Sequence, residues 1–421
     1  MKRLSLQANF VWILVGNIVL SFCMWLLLVI LTKSGTVETV GVFAVAQAIS
    51  LPINMLFGLR LQVAQITDAR NDYQFGHYYA LRIITMIMAV IVTAIIGFLY
   101  YPKAVAIVTL LLAVNYALVS AREIFLSFMQ KCERMDKTSI SAMLQGLLSL
   151  LLFGVTFWLS KNLALSVVGL IAARLIVFYV YDMPVVRKLL HTTNQFDIIS
   201  IKPLWNIKDM WRLTKLTASL GIVGWMSQLF NSIPRLILDK YAGVKEVGYF
   251  AAISSLLVAG GMIATAVGQA VCPRLAKYYV EDRRFYKRLF SKFLAVSFML
   301  GIAGIFISIL FGRAILTLVF KADYAEYNNI FVQLTIAGAV LFLFSAMNVA
   351  LTTARKFAIQ IPIYAFSVVV CGIAAFLLIP HYGMMGATWS LLICYFTGFA
   401  GCLFFWIRTV KKNGSGQKEE S

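Results

Sequence analysis

Apolar positions in this chain come in long unbroken runs, not as a single helical stripe and not in alternation. Runs of about 20 residues, the length that carries a helix across a bilayer core, recur from end to end. They fall at roughly 10–31, 40–65, 80–101, 104–126, 139–160, 163–186, 214–238, 247–272, 291–312, 328–353, 358–379 and 384–407. Barrel strands would need alternating segments of about 10 residues, and these runs are too long and too uniformly apolar for that. The pattern predicts an all-α membrane protein with about twelve transmembrane helices. The first run, Phe10 to Leu31, follows Lys2 and Arg3 as a signal peptide would. It exceeds the ~7–15 residues of a signal's apolar segment and no small-residue cleavage site follows, so it reads as an uncleaved first span.

A repeat organises the spans. LTKSGTVETVGVFA from Leu31 aligns without a gap with LDKYAGVKEVGYFA from Leu238, pairing Leu31/Leu238, Lys33/Lys240, Val37/Val244, Val40/Val247, Gly41/Gly248, Phe43/Phe250 and Ala44/Ala251. The copies lie half a chain length apart. An even number of spans separates them, so both halves point the same way, a parallel repeat about an axis along the membrane normal and a recurrent plan of membrane transporters. The expected organisation is an N-terminal six-helix lobe over 1–186, a basic linker over 187–213, a C-terminal six-helix lobe over 214–408 and a polar tail over 409–421. A central cavity between rocking lobes follows from that symmetry.

Composition sharpens the picture. Hydrophobic residues make up 61% of the 421 and charged residues only 13%, against about 25% in a soluble domain; the mean hydropathy is +0.86. The net charge of +20 does not indicate nucleic acid, because it is concentrated in the loops. The termini and the loops near 70, 130, 200, 280 and 355 hold 27 of the 37 basic residues, the opposite loops 7, and the spans three arginines. That asymmetry places both termini in the cytoplasm. The far-side loops are too short to hold a catalytic domain.

Ionisable groups inside spans are costly and mark function. By these boundaries all 17 acidic residues lie in loops, tails or span ends, and the charges within spans are Arg60, Arg174 and Arg235. Arg174, near the middle of the sixth span, is the leading candidate to face a cavity and bind an anion; the plainer reading is a structural arginine held by backbone carbonyls. Arg60 is close enough to one surface to snorkel, and Arg235 has Asp239 four residues on as an obvious ion-pair partner. Guanidinium suits phosphate because it stays charged and binds two oxygens at once. Asn17, Gln47, Asn54, Gln228 and Asn231 are weaker polar candidates for a cavity lining, with interhelical hydrogen bonding as the alternative. No P-loop, catalytic triad or paired-carboxylate arrangement is present. The cysteines and the three histidines have no metal-ligand spacing, so neither catalytic residues, metal nor cofactor is expected.

Several stretches resemble the Wzx-type polysaccharide flippases of the multidrug/oligosaccharidyl-lipid/polysaccharide exporter superfamily. They are the two hairpins with VGVFAVAQAI and VGYFAAISSL, TDARNDYQFGHYYALRIIT from Thr67, QKCERMDKTSISAMLQGLLSL from Gln130, VVGLIAARLIVFYVYD from Val167 and HYGMMGATWSLLICY from His381. The resemblance covers nearly the whole chain. It implies a MATE-like, two-lobed transporter in the bacterial cytoplasmic membrane, moving undecaprenyl-diphosphate-linked oligosaccharide from the inner to the outer leaflet for surface polysaccharide synthesis. Implied partners are that lipid-linked substrate, membrane lipids and the polysaccharide polymerase machinery. The first span holds no basic residue, where some related flippases place arginine. Other readings are a cation-coupled multidrug exporter of the same superfamily, which would need a buried carboxylate, and a membrane polymerase or ligase, which would need a large outer loop. A scaffolding protein of the polysaccharide machinery would leave the buried arginines without a purpose.

Overall fold

The computed structural model describes residues 6–68, 72–192, 201–353 and 357–415. Its elements are α1 (Leu6–Ser34), α2 (Val37–Gly58), α3 (Leu61–Thr67), α4 (Phe75–Tyr100), α5 (Lys103–Lys131), α6 (Met135–Ser160) and α7 (Leu163–Val177). A π-helical turn (Phe178–Asp182) leads into α8 (Met183–Thr192). There follow α9 (Ile207–Ala242), α10 (Val244–Glu281), α11 (Arg283–Val319), a 3₁₀ turn (Ala322–Tyr327), α12 (Asn328–Thr353) and α13 (Phe357–Ser415). Among the described residues nine helices are long and apolar enough to cross a bilayer. The fold is all-α, as the apolar runs predict.

The chain divides into two compact units, Met1–Gln228 and Leu229–Ser421. The division falls inside α9, whereas the sequence division falls at the linker. In the first unit α1 packs on α6, α2 on α4 and α5, and α7 on α5 and α6; in the second, α12 packs on α10, α11 and α13. Both units expose large apolar side chains, and the first buries charged ones within its apolar core. Arg82 is among the most deeply buried side chains, while Leu99, Leu151, Trp158, Leu310 and Phe311 are exposed. That exposure suits a chain whose solvent is hydrocarbon.

The repeat falls at equivalent places. Its first copy spans the α1–α2 junction and its second the α9–α10 junction. Leu31, Val40, Phe43 and Ala44 are buried in the first unit, as are Leu238, Val247, Phe250 and Ala251 in the second. Most of the matched apolar positions are core positions, Val37 and Val244 being half-buried. The second junction turns on Gly243, at φ 85° and ψ 169°, a region open essentially only to glycine. Within α13 the helix breaks at Gly383 (φ 53°, ψ −128°), three residues after Pro380. The break falls where the eleventh and twelfth apolar runs part.

Most helices run past the apolar windows. α4 starts at Phe75, α5 ends at Lys131, α8 ends at Thr192 and α9 starts at Ile207. These extensions are amphipathic. Val186, Leu189, Leu190, Met210 and Leu213 join Leu61, Ile124, Phe125 and Phe128 in one hydrophobic cluster of the first unit, so helix continues where the sequence has turned basic.

Candidate anion-binding site

The buried polar groups of the first unit are assembled by α4, α5, α6, α7 and the π-turn. Ser141, Gln145 and Ser149 recur every four residues along α6, which puts them on one face, and all three are buried. Such groups require partners. Arg122 of α5 supplies them: it donates from Nε to Asp182 Oδ2 at 2.6 Å, from Nη2 to Ser141 Oγ at 2.8 Å and from Nη1 to Gln145 Oε1. Ser141 donates onward to Asp182 Oδ1 at 2.5 Å, and Gln145 Nε2 to Ser149 Oγ at 2.6 Å. Asp182 closes the π-turn and is fully buried. π-turns of this kind inside α-helices are frequent at functional sites.

Arg82 of α4 occupies a second position. Its Nη1 donates to Gly58 O at 2.8 Å and its Nη2 to Gln62 Oε1 at 3.4 Å, with Glu123 Oε2 3.6 Å from Nη2. Gly58 ends α2 because the next two residues, Leu59 (φ 50°) and Arg60 (φ 47°), are left-handed. That conformation costs a non-glycine residue roughly 1–2 kcal/mol and frees carbonyls at the helix end. Arg82 takes one of them. The second apolar run is thus two helices, broken seven residues beyond Pro52.

Arg174 lies inside α7, 8% exposed. Its Nε donates to Asn115 Oδ1 at 2.5 Å. Nη1 and Nη2 make no hydrogen bond or ion pair with any described residue. Of the arginines buried among the described residues, Arg122 and Arg82 spend their terminal nitrogens on protein acceptors, and Arg174 has both terminal nitrogens without a described acceptor. Two such nitrogens match two oxygens of a phosphate or diphosphate.

The other sequence candidates are dispersed. Arg60 is half-buried at the α2–α3 break, where a Cβ on Gly224 would lie 3.0 Å from its Nε. Asn54 accepts from Ser120 Oγ at 2.8 Å. Gln47 and Gln228 are half-buried and Asn17 is exposed. In the second unit Arg235 donates to Ser254 Oγ at 3.2 Å, and among the described residues no ion pair joins it to Asp239. Asn231 accepts from Tyr395 OH at 3.1 Å.

Two expectations are corrected. Arg82 and Arg122, counted with the loops near 70 and 130, are buried within helices. Asp182 and Glu123, assigned to span ends, are placed against those same arginines. All four lie within a few residues of the end of an apolar run, where a charged side chain is grouped with the adjoining loop. The readable signal was the Ser141–Gln145–Ser149 stripe on an otherwise apolar helix, which demands a polar partner. Among the described residues no cluster of His, Cys, Asp and Glu could hold a metal ion. Outside the spans, Arg134 pairs with Asp136 at 2.7 Å, which holds its guanidinium above the ordinary arginine range.

Long apolar helices with charge buried inside them define a multi-pass membrane protein. A structure of the lipid II flippase MurJ in an inward closed conformation matches with a TM-score of 0.76 at 12% identity, over 94% of this chain and 87% of that one. An inward-facing multidrug resistance MATE family transporter of the MOP superfamily matches at 0.71 and 11%, over 94% and 96%. The fold is MATE-like. The chain belongs to the polysaccharide biosynthesis protein family, whose model matches residues 6–279. The capsular polysaccharide biosynthesis protein CapF of Staphylococcus aureus is 26% identical over 410 residues, 95% of this chain and 99% of CapF. A putative O-antigen transporter of Shigella flexneri is 24% identical over 240 residues, 56% of this chain and 54% of that protein.

Proposed function

We propose that this protein is a flippase that moves undecaprenyl-diphosphate-linked oligosaccharide from the inner to the outer leaflet of the bacterial cytoplasmic membrane for surface polysaccharide synthesis. The observation that carries the reading is the open guanidinium edge of Arg174, buried in a helix of a family tied to polysaccharide biosynthesis. The relatives' names, a capsular polysaccharide biosynthesis protein and a putative O-antigen transporter, point to the same pathway class.

In this reading twelve spans form two six-helix lobes with both termini in the cytoplasm, and the lobes expose a central cavity to one leaflet at a time. The lipid tail stays in hydrocarbon while the sugars and diphosphate cross inside protein. Arg174, with Arg60 and Arg235 as further cationic positions, offsets the desolvation of the anion, which unpaired costs several kcal/mol. A potential negative inside favours outward movement of the anion by about 2.3 kcal/mol per charge per 100 mV. The protein supplies binding and passage, and no bond is made or broken.

A cation-coupled exporter of the same superfamily draws support from Asp182, a fully buried carboxylate. Its charge is already matched by Arg122, which leaves it poorly suited to bind a coupling cation, and we favour the anion reading.

The test is the sidedness of lipid-linked saccharides in cells lacking this protein, probed with a reagent that does not cross the membrane. Accumulation of undecaprenyl-diphosphate oligosaccharide on the cytoplasmic face is expected. Unchanged amount and sidedness would overturn the proposal.

A further inference from the structure

The first turns of α9 sort their side chains by face. Met210, Leu213 and Thr217 turn inward and are buried, whereas Trp211 and Leu216 are each 60% exposed. Lys208, Arg212 and Lys215 lie on the open side, spaced four and three residues apart, which aligns them as one stripe. Lys215 Nζ sits 5.3 Å from the centre of the Trp211 ring. Arg212 approaches Asp209 only at 3.9 Å while 62% exposed, and Lys208 and Lys215 form no ion pair with any described residue. Farther along, the open face passes to Ser219 and Ile222 and loses its charge. Basic and aromatic side chains together at one helix end are typical of a membrane interface.

We propose that the Lys208–Arg212–Lys215 stripe is a binding surface for the phosphodiester headgroups of anionic phospholipids, with Trp211 seated in the headgroup layer. Charge complementarity selects the occupant. The three cations are exposed beside exposed Trp211 and Leu216, the mixture of basic and aromatic side chains that suits a membrane interface. Each basic group near such a surface strengthens binding roughly fivefold. The stripe lies apart from Arg174 and its role does not depend on the transported substrate.

The experiment uses the full chain with a photoreactive phenylalanine analogue at Leu216, reconstituted in vesicles of equimolar phosphatidylglycerol and phosphatidylcholine. Lipid adducts are counted by mass. Phosphatidylglycerol adducts are expected to exceed phosphatidylcholine adducts at least tenfold, and K208A/R212A/K215A to bring the ratio close to one. Charge-conserving K208R/K215R should keep the preference, and single Lys208→Gln should lower it several-fold, which guards against misfolding of the triple variant. A ratio near one in the unsubstituted stripe overturns the proposal, as does a preference that survives the triple variant, the outcome expected if the stripe serves a protein partner instead. Loss of the phosphatidylglycerol adducts in millimolar inorganic phosphate, at constant ionic strength, would assign the stripe to free phosphate and overturn it too.

Discussion

Arg122 and Asp182 meet at 2.6 Å inside the first unit, the arginine 5% exposed and the aspartate fully buried. Ser141 bridges the two, and Gln145 accepts from Arg122. The pair ties α5, α6 and the π-turn together at the end of the helix that carries Arg174.

Breaking that pair from one side leaves a buried charge alone. Arg122→Ala and Asp182→Ala should each lose about 3–5 kcal/mol of stability, while Arg122→Met with Asp182→Leu should recover most of it. Thermal unfolding of the detergent-solubilised variants reads the cycle. A double-variant loss equal to the sum of the two single losses would show that the two residues do not act as a pair.

The break at Leu59 and Arg60 is packed by two glycines of α9. A Cβ at Gly221 would lie 3.0 Å from Leu59 Cα, and one at Gly224 would lie 3.0 Å from Arg60 Nε. The first neighbour is backbone and the second a flexible side chain. Gly221→Ala should therefore cost about 1–3 kcal/mol and Gly224→Ala distinctly less, with thermal stability as the measurement. The reverse order would contradict the packing described.

Gly243 and Gly304 separate backbone strain from crowding, since a Cβ at either meets nothing within 4 Å. Gly243 has φ 85°, and Gly304 lies within α11. Gly243→Ala should cost about 1–3 kcal/mol. Gly304→Ala should be neutral or stabilise by roughly 0.5–1 kcal/mol. Similar effects at both positions would rule out the backbone explanation.

The sequence conveyed the architecture better than the site, for physical reasons. Long apolar runs and the repeat from Leu31 and Leu238 are each written in residue type. The repeat is legible in its matched apolar positions, most of them core. Arg174 is legible because it interrupts an apolar run. Arg82, Arg122, Glu123 and Asp182 are not, because each lies beside the edge of a run, where helix and loop share a composition. The π-turn before α8 and the left-handed pair at Leu59 and Arg60 leave no mark in composition at all. They are set by tertiary contacts, with Arg82 on Gly58 O as the clearest case.

The central claim rests on Arg174, and reconstituted translocation tests it most directly. Purified protein in liposomes, supplied with a short-chain diphosphate-linked oligosaccharide, would be assayed for its appearance on the opposite leaflet. Wild type should translocate it and Arg174→Ala should not. Arg174→Lys should recover little, because an ammonium lacks the bidentate edge, and Asn115→Ala should fall between, having lost only the bond that orients Nε. The solubilised Arg174→Ala protein should unfold at the wild-type temperature or above, since a buried charge has been removed. Full translocation by a folded Arg174→Ala variant would contradict the account.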